Sequence, residues 1–499
     1  MDQSVLDQTS SVRTVRSKWV LFTALGLLVC VVSALVIFPR VAKTEFSEDE
    51  PGWIASGYYY TTLAQNRDFD WDKWFCRDCQ GFGRLNLHVG QYLFGIPMKI
   101  EKDSASPAFF GFYDVDQPYE VNFRAGLVPP PAILIQAREV AAFFGVLCCL
   151  MIFAVGFWAY NPWVGLIASG LLLANSVFLK LSGQAMTDDF YNFFLLSICL
   201  ALVITTKVRN KKTILLLACL TGVLTALACS VKITGLLLGT GFFLGLNAWR
   251  FWRSRTGTKE IALTLAAFFV CCFATVYVLN PFFWPTWSQL SGGEVVRELK
   301  SFSHDVSTKK IVLSHRHDLE QASFDYPQLR NLSRPVEFPL LFGRWNHELR
   351  RHLDAGLANW HGNRLVRLHE TLFQLSVPLG PASDNSFAVN GVGLAVNGVA
   401  FLLAILTGAG IYFLVLSARS NDAHVVLLLA LCVNYSLIVL FMGLNWDRYY
   451  LPTMISVALV ASVGLYEIAR RVIKVGDPKH VRGMSKKSQK TLNERPTTV

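Results

Sequence analysis

The sequence predicts an all-α polytopic membrane protein, and three observations lead there. Of the 499 residues, 53% are hydrophobic and only 16% charged, whereas ordinary soluble domains are about a quarter charged; the mean hydropathy is +0.38. The apolar residues cluster into uncharged stretches of roughly 17–25, the length at which a helix crosses a bilayer. The basic residues gather in the short segments between those stretches. A backbone inside lipid has to satisfy its own hydrogen bonds, which a helix does. A transmembrane barrel is excluded, because its strands are about half as long.

Ten spans are predicted, at 19–38, 137–160, 163–180, 189–206, 213–230, 233–250, 260–280, 391–416, 424–443 and 450–469. The first follows Arg13, Arg16 and Lys18 and runs too long for the apolar core of a cleaved signal peptide, so it reads as retained. The second and third are joined only by Tyr160-Asn161-Pro162-Trp163, where proline ends one helix and permits a hairpin.

Orientation follows from Lys and Arg. The N-terminus (1–18), the loops near 207–212 and 250–259, and the tail carry most of them: Lys207, Arg209, Lys211, Lys212, Arg250, Arg253, Arg255, Lys259, Arg470 and Arg471 among others. With ten spans these segments fall on one side, which is cytoplasmic by the positive-inside rule. The net charge of +11 is therefore a topology signal, and nucleic acid is not an expected partner. Two long loops, about 39–136 and 281–390, then face outward and are expected to form a small cap. Stretches such as Glu50–Gln65 and Phe342–Leu357 are amphipathic enough to lie along the interface. The unit 19–474 reads as one transmembrane domain, with no further carboxy-terminal domain expected. The basic residues 475–499 read as a disordered tail. No tandem repeat is visible.

Of eleven cysteines, nine sit in apolar spans and read as small hydrophobes. Cys76 and Cys79, in Cys76-Arg77-Asp78-Cys79, stand in a polar outer loop, where a disulfide is favoured over zinc or free thiols. Asn331-Leu332-Ser333 is a glycosylation sequon in the second outer loop.

Four constellations could carry chemistry, all on the outer face. Glu48-Asp49-Glu50 follows the first span; it is either a solvated charge run or places a catalytic base at the bilayer surface. Asp188 and Asp189 sit in the turn between the third and fourth spans, where one carboxylate is explained by helix capping more easily than two. Lys232, between the fifth and sixth, is an isolated cation in apolar surroundings; it either snorkels or serves a function. Asn445-Trp446-Asp447-Arg448-Tyr449-Tyr450-Leu451-Pro452 opens the last span; its aromatics suit an interfacial belt and its arginine suits phosphate. Carboxylates suit general-base work, and lone cations suit a departing phosphate.

This pattern resembles the GT-C glycosyltransferases that use polyprenyl-phosphate-linked sugars, and among them the dolichyl-phosphate-mannose protein mannosyltransferases and the aminoarabinose transferases of lipid A. The residues that carry the resemblance are Asp49-Glu50 in the first outer loop, Ala185-Met186-Thr187-Asp188 in the next outer turn, Arg138 opening the second span, Lys232 behind Gly222, and Arg448-Tyr449-Tyr450-Leu451-Pro452. The family's His-Pro-Pro or Lys-Pro-Pro is replaced by Leu87-His88-Val89-Gly90-Gln91-Tyr92.

The resemblance implies inverting sugar transfer from a polyprenyl-phosphate donor to a lipid, glycan or protein acceptor on the outer face. It implies Asp49, Glu50 and Asp188 as catalytic groups, with Lys232, Arg448 and Arg138 at the donor phosphate. His88, Asp189 and Tyr449 are further substrate-binding candidates. A divalent metal is compatible with Asp49 and Asp188 but not required. Membrane lipids are the surrounding partner, in a bacterial inner membrane or the endoplasmic reticulum, with both termini cytoplasmic. The competing readings are a transporter or flippase, a membrane scaffold, and an oligosaccharide ligase. Transporters gather ionisable residues at the midplane, whereas here the span centres are nearly charge-free.

Overall fold

A computed structural model of the protein describes residues 3–57, 60, 87–96, 113, 117–232, 234–254, 257–280, 392–441 and 447–475. Among these residues there are helices and turns and no strand. We number the described helices in chain order. α1 is Gln3–Ile37, α2 Glu50–Ala55, α3 Val89–Gly95, α4 Tyr119–Arg124, α5 Pro131–Ala159, α6 Pro162–Leu173 and α7 Ser176–Ser182. They are followed by α8 Asp188–Lys207, α9 Lys211–Val231, α10 Thr234–Ser254, α11 Thr258–Leu279, α12 Val392–Ala418, α13 Asp422–Phe441 and α14 Asp447–Val475.

The predicted apolar runs coincide with long helices, with one exception. The third predicted span, 163–180, is broken: α6 and α7 meet at a bend of 72°. Asn175 makes the break, since its side-chain oxygen accepts the N–H of Phe178 at 2.9 Å and so starts a new helix. By length and apolarity six helices suffice to cross a membrane, or seven if the bent pair is one span. Shorter apolar stretches, Leu402–Ala418 and Asp422–Ser436, add to these. A multi-pass helical membrane protein is thus established, whereas the number ten is not reached on that test. The loop 281–390 with Phe342–Leu357 and the sequon lies outside the described residues, as do Cys76, Cys79, residues 476–499 and much of the first loop.

Burial sorts the helices. α14 and α8 are the most enclosed, with 78% and 72% of their apolar windows buried, and α5 follows at 67%. α1 and α11 bury only 22% and present Leu27, Leu28, Val31, Leu263 and Val270 outward, as lipid-facing helices do. α12 and α14 cross at very close range: a Cβ on Gly410 would lie 2.0 Å from the Val460 carbonyl oxygen, and one on Gly464 2.0 Å from that of Leu406. Backbones approach this closely only where side chains are absent.

Polar contacts collect at the two ends of the bundle. At one end Tyr160 donates to Glu467 at 2.6 Å and stacks on His424, whose Nδ1 lies 2.6 Å from the Ser417 hydroxyl. Lys211 pairs with Glu260 and Arg253 with Asp422 at the same end. Of the predicted basic segments, the described residues Lys18, Lys207, Lys211, Arg253 and Arg470 lie at this end. The opposite end holds the candidate site.

Candidate functional site

The chain leaves α1 through a short turn at Phe38–Arg40 and lays residues 41–50 across the end of the bundle. Glu50, at the first position of α2, is fully buried at 0% exposure. Arg138, in the second turn of α5, meets it with two parallel bonds: Nε to Oε1 at 2.7 Å and Nη2 to Oε2 at 2.8 Å. The other guanidinium hydrogens go to the carbonyls of Val41 at 3.0 Å, Thr44 at 2.9 Å and Glu45 at 3.3 Å. All five donors of Arg138 are therefore used inside the protein. Glu50 is equally occupied, since it also accepts the Ala185 N–H at 2.7 Å and the Ser47 N–H at 2.9 Å. Its neighbour Asp49 stands at the head of α2, half-buried, and is the less enclosed of the two.

The Ala185 bond fastens the first loop to the turn that precedes α8. Gln184 adds a second tie, donating to the Glu45 carbonyl at 3.1 Å. Gly183 permits the contact, because a Cβ there would lie 2.2 Å from the Thr44 hydroxyl oxygen.

Asp188 and Asp189 open α8 and diverge. Asp188 accepts from Lys232 Nζ at 2.5 Å, with their side chains 4% and 19% exposed. Lys232 sits at the break between α9 and α10, where its backbone turns extended (φ −141°, ψ 128°) and releases its side chain from helical register. Its ammonium also lies 5.9 Å from the Tyr191 ring, and Tyr191 in turn shares a 2.8 Å hydrogen bond with Thr234. Asp189 lies inward instead, against Gly145 of α5 and facing the Ser182 hydroxyl, with no hydrogen bond in good geometry to either carboxylate oxygen.

His88 is fully buried at the head of α3. Its N–H donates to Asn280 Oδ1 at 2.9 Å, and Tyr92 donates to the Leu279 carbonyl at 3.0 Å. Burial pushes the His88 imidazole down to about 4, against the upward pull of Asn280, so it is neutral near pH 7. α3 touches Thr187 and Val231 through Gly90, which joins this cluster to the Asp188–Lys232 pair.

The described structure thus gathers Asp49, Glu50, Arg138, Asp188, Asp189, Lys232 and His88 at one end. Arg448 and Tyr449 occupy the first turn of α14; their side chains lie outside the described part. Among the described residues no three His, Cys, Asp or Glu side chains come together to hold a metal. Glu50 is neutralised by Arg138 and Asp188 by Lys232. Sequence reasoning missed Asn280, Ser230 and Tyr191. The dipeptide Asn280-Pro281 at the end of a span was the available signal for the first; nothing distinguished the other two.

No curated protein sequence matches the chain. Among solved structures, the archaeal oligosaccharyltransferase AglB from Archaeoglobus fulgidus, in complex with an inhibitory peptide and a dolichol-phosphate, aligns at 13% identity and TM-score 0.47, over 91% of this chain and 52% of that one. The apo form of the Archaeoglobus fulgidus enzyme aligns at 14% identity and TM-score 0.40, over 90% and 52%. The chain spans about half the length of these proteins. Residues 114–290 match the sequence pattern of the dolichyl-phosphate-mannose-protein mannosyltransferase family. That segment, less than half of the chain, holds Arg138, Asp188, Asp189, Lys232 and Asn280, and over it the resemblance read from the motifs is to the protein mannosyltransferase branch of the GT-C glycosyltransferases.

Proposed function

We propose that the protein is an integral membrane glycosyltransferase that moves a sugar from a polyprenyl-phosphate carrier to an acceptor, with inversion at the anomeric carbon. The observation that carries this reading is the docking of the Asp49-Glu50 loop, through Glu50 and Ala185, onto the turn bearing Asp188 and its partner Lys232. A half-buried carboxylate and a cation with residual exposure are thereby held at the same end of an apolar bundle, and the cation, though not the carboxylate, lies within the segment that matches the mannosyltransferase family.

In this reading Asp49 takes the proton of the acceptor hydroxyl as the oxygen attacks the anomeric carbon. The bond from that carbon to the carrier phosphate breaks on the opposite face of the ring, and the leaving phosphate keeps the bonding electrons. Lys232, with Arg448 from the first turn of α14, stabilises the charge that develops there. Asp188 holds Lys232 in place until the phosphate arrives. Glu50 and Arg138 do not touch substrate: their hydrogen-bonding capacity is spent on anchoring the loop that presents Asp49. His88 and Asp189, both enclosed, support the site from behind. The acid and base work assigned to Asp49 and the cation work assigned to Lys232 need no step through a metal.

The test is transfer by purified protein in detergent, with radiolabelled polyprenyl-phosphate sugars as donors and an envelope extract as acceptor, beside the Asp49→Asn variant. Label reaching the extract with the parent and not with the variant supports both class and base. Equal transfer by the two removes Asp49 from its role. Absence of transfer from every donor, by protein that melts cooperatively, overturns the reading and favours transport.

A further inference from the structure

Asn280 ends α11, fully buried at 0% exposure, and none of the roles above uses it. Its amide has one permitted orientation. One of its amide atoms lies 2.6 Å from the Val276 carbonyl oxygen, which can only accept, so that atom is the Nδ2 donor. The second Nδ2 hydrogen points to the Ser230 hydroxyl at 3.3 Å. Oδ1 then faces His88, accepting its backbone N–H at 2.9 Å and lying 3.3 Å from Nδ1. Oδ1 only accepts, so this contact is a hydrogen bond in the tautomer whose proton sits on Nδ1.

One side chain therefore braces three elements: the head of α3 in the first loop, the last turn of α9, and the end of α11. Ser230 stands two residues before Lys232, and beyond Val231 the backbone leaves helical geometry. A lysine on a flexible stem delivers its charge only as accurately as its backbone is held. The brace holds the last turn before that break and ties it to the loop layer above.

We propose that Asn280 is a positioning residue for Lys232, setting the α9–α10 break from which the ammonium meets the donor phosphate. This rests on the reading of Lys232 as the phosphate cation, and the test separates the two. Donor KM and kcat are measured for the parent, Asn280→Ala, Ser230→Ala, Lys232→Gln and each of the first two combined with Lys232→Gln, with thermal melts alongside. Asn280→Ala is expected to raise donor KM about tenfold, the loss of one well-placed hydrogen-bonding group, while kcat moves less than about threefold. Ser230→Ala, which removes one bond only, is expected to shift KM in the same direction by less. Neither is expected to raise KM further once Lys232 is Gln. The same fold-increase in both backgrounds would overturn the positioning role, since the effect would not pass through Lys232. So would an unchanged donor KM in folded Asn280→Ala. Should Asn280→Ala fail to fold, Ser230→Ala decides by the same comparison. An unchanged donor kcat/KM in Lys232→Gln itself would instead overturn the phosphate reading, and the positioning role with it.

Discussion

Replacing Arg138 by alanine should unfold the first loop from the bundle before it changes any chemistry. Glu50 would remain at 0% exposure with its counter-charge gone. The N–H groups of Ala185 and Ser47 would be the remaining partners of its carboxylate, and the carbonyls of Val41, Thr44 and Glu45 would lose a donor. Removing one member of a buried ion pair costs about 3–5 kcal/mol, because an uncompensated charge is left behind. Five satisfied donors place Arg138 toward the upper end. Glu50→Gln, which keeps an acceptor but no charge, should cost less, about 1.5–3 kcal/mol. The double variant Arg138→Leu/Glu50→Leu should be less damaging than the two single losses added, by about 1–3 kcal/mol. Thermal unfolding in detergent, followed by tryptophan fluorescence, should show Arg138→Ala melting about 5 °C or more below the parent. Arg138→Lys should fall between, having charge without the five-donor fork. The result that would refute the reasoning is a parental melting temperature together with a donor KM raised tenfold. Arg138 would then be a phosphate ligand, as the family resemblance alone implies.

Other outcomes are expected at separate places. Lys232→Gln should lower transfer by 100-fold or more if the ammonium faces the leaving phosphate (about 2.7 kcal/mol of transition-state stabilisation), measured as kcat/KM for the donor. His88 is held neutral, so the native state binds fewer protons than the unfolded chain between pH 6.5 and about 4. Its stabilisation is complete above 6.5 and is lost as pH falls through that window, an effect of about 3 kcal/mol. The difference in stability between the parent and His88→Gln should shrink on acidification, and a difference that grows would reverse the sign. Gly464→Ala should destabilise the fold by about 1–3 kcal/mol through a clash with the Leu406 carbonyl and so lower the melting temperature, and Gly410→Ala should do so against Val460. A parental melt for both would mean that α12 and α14 separate freely.

Much of the bundle was legible because apolar length is a local property. The runs at 189–206, 213–230 and 260–280 became α8, α9 and α11 with ends moved by a residue or two. The broken third span was not legible, since Asn175 lies in an apolar run whose composition is the same for a straight helix and a bent pair. Charge partners were not legible either. Arg138 and Glu50 stand 88 positions apart and Asp188 and Lys232 stand 44 apart, so nothing in the sequence paired them. Folding answers these four charges with one another, in two pairs. The motif alone puts Arg138 at the donor phosphate, and its five internal hydrogen bonds are what favour the scaffold role proposed for it. Asn280 had only the weak signal of an Asn-Pro pair at a span end; its three partners reveal its role.

The bent pair α6–α7 has a consequence for the surrounding lipid. Twelve residues of α6 rise about 18 Å, and the seven of α7, tilted by 72° from it, add only about 3 Å along the same axis. The pair thus reaches about 21 Å where the hydrocarbon core asks for about 30 Å. Acyl chains beside it are about 9 Å too long for the protein they touch and have to tilt, compress or draw the headgroups inward. The shortfall falls on the side of α7, whose Lys180 comes within 3.9 Å of Glu45 in the first loop. If α6 stands along the bilayer normal, the thinning would fall next to the acidic loop. A carrier with its phosphate at the headgroup level would arrive there already lowered toward the depth of the bundle's polar end, without any helix having to move.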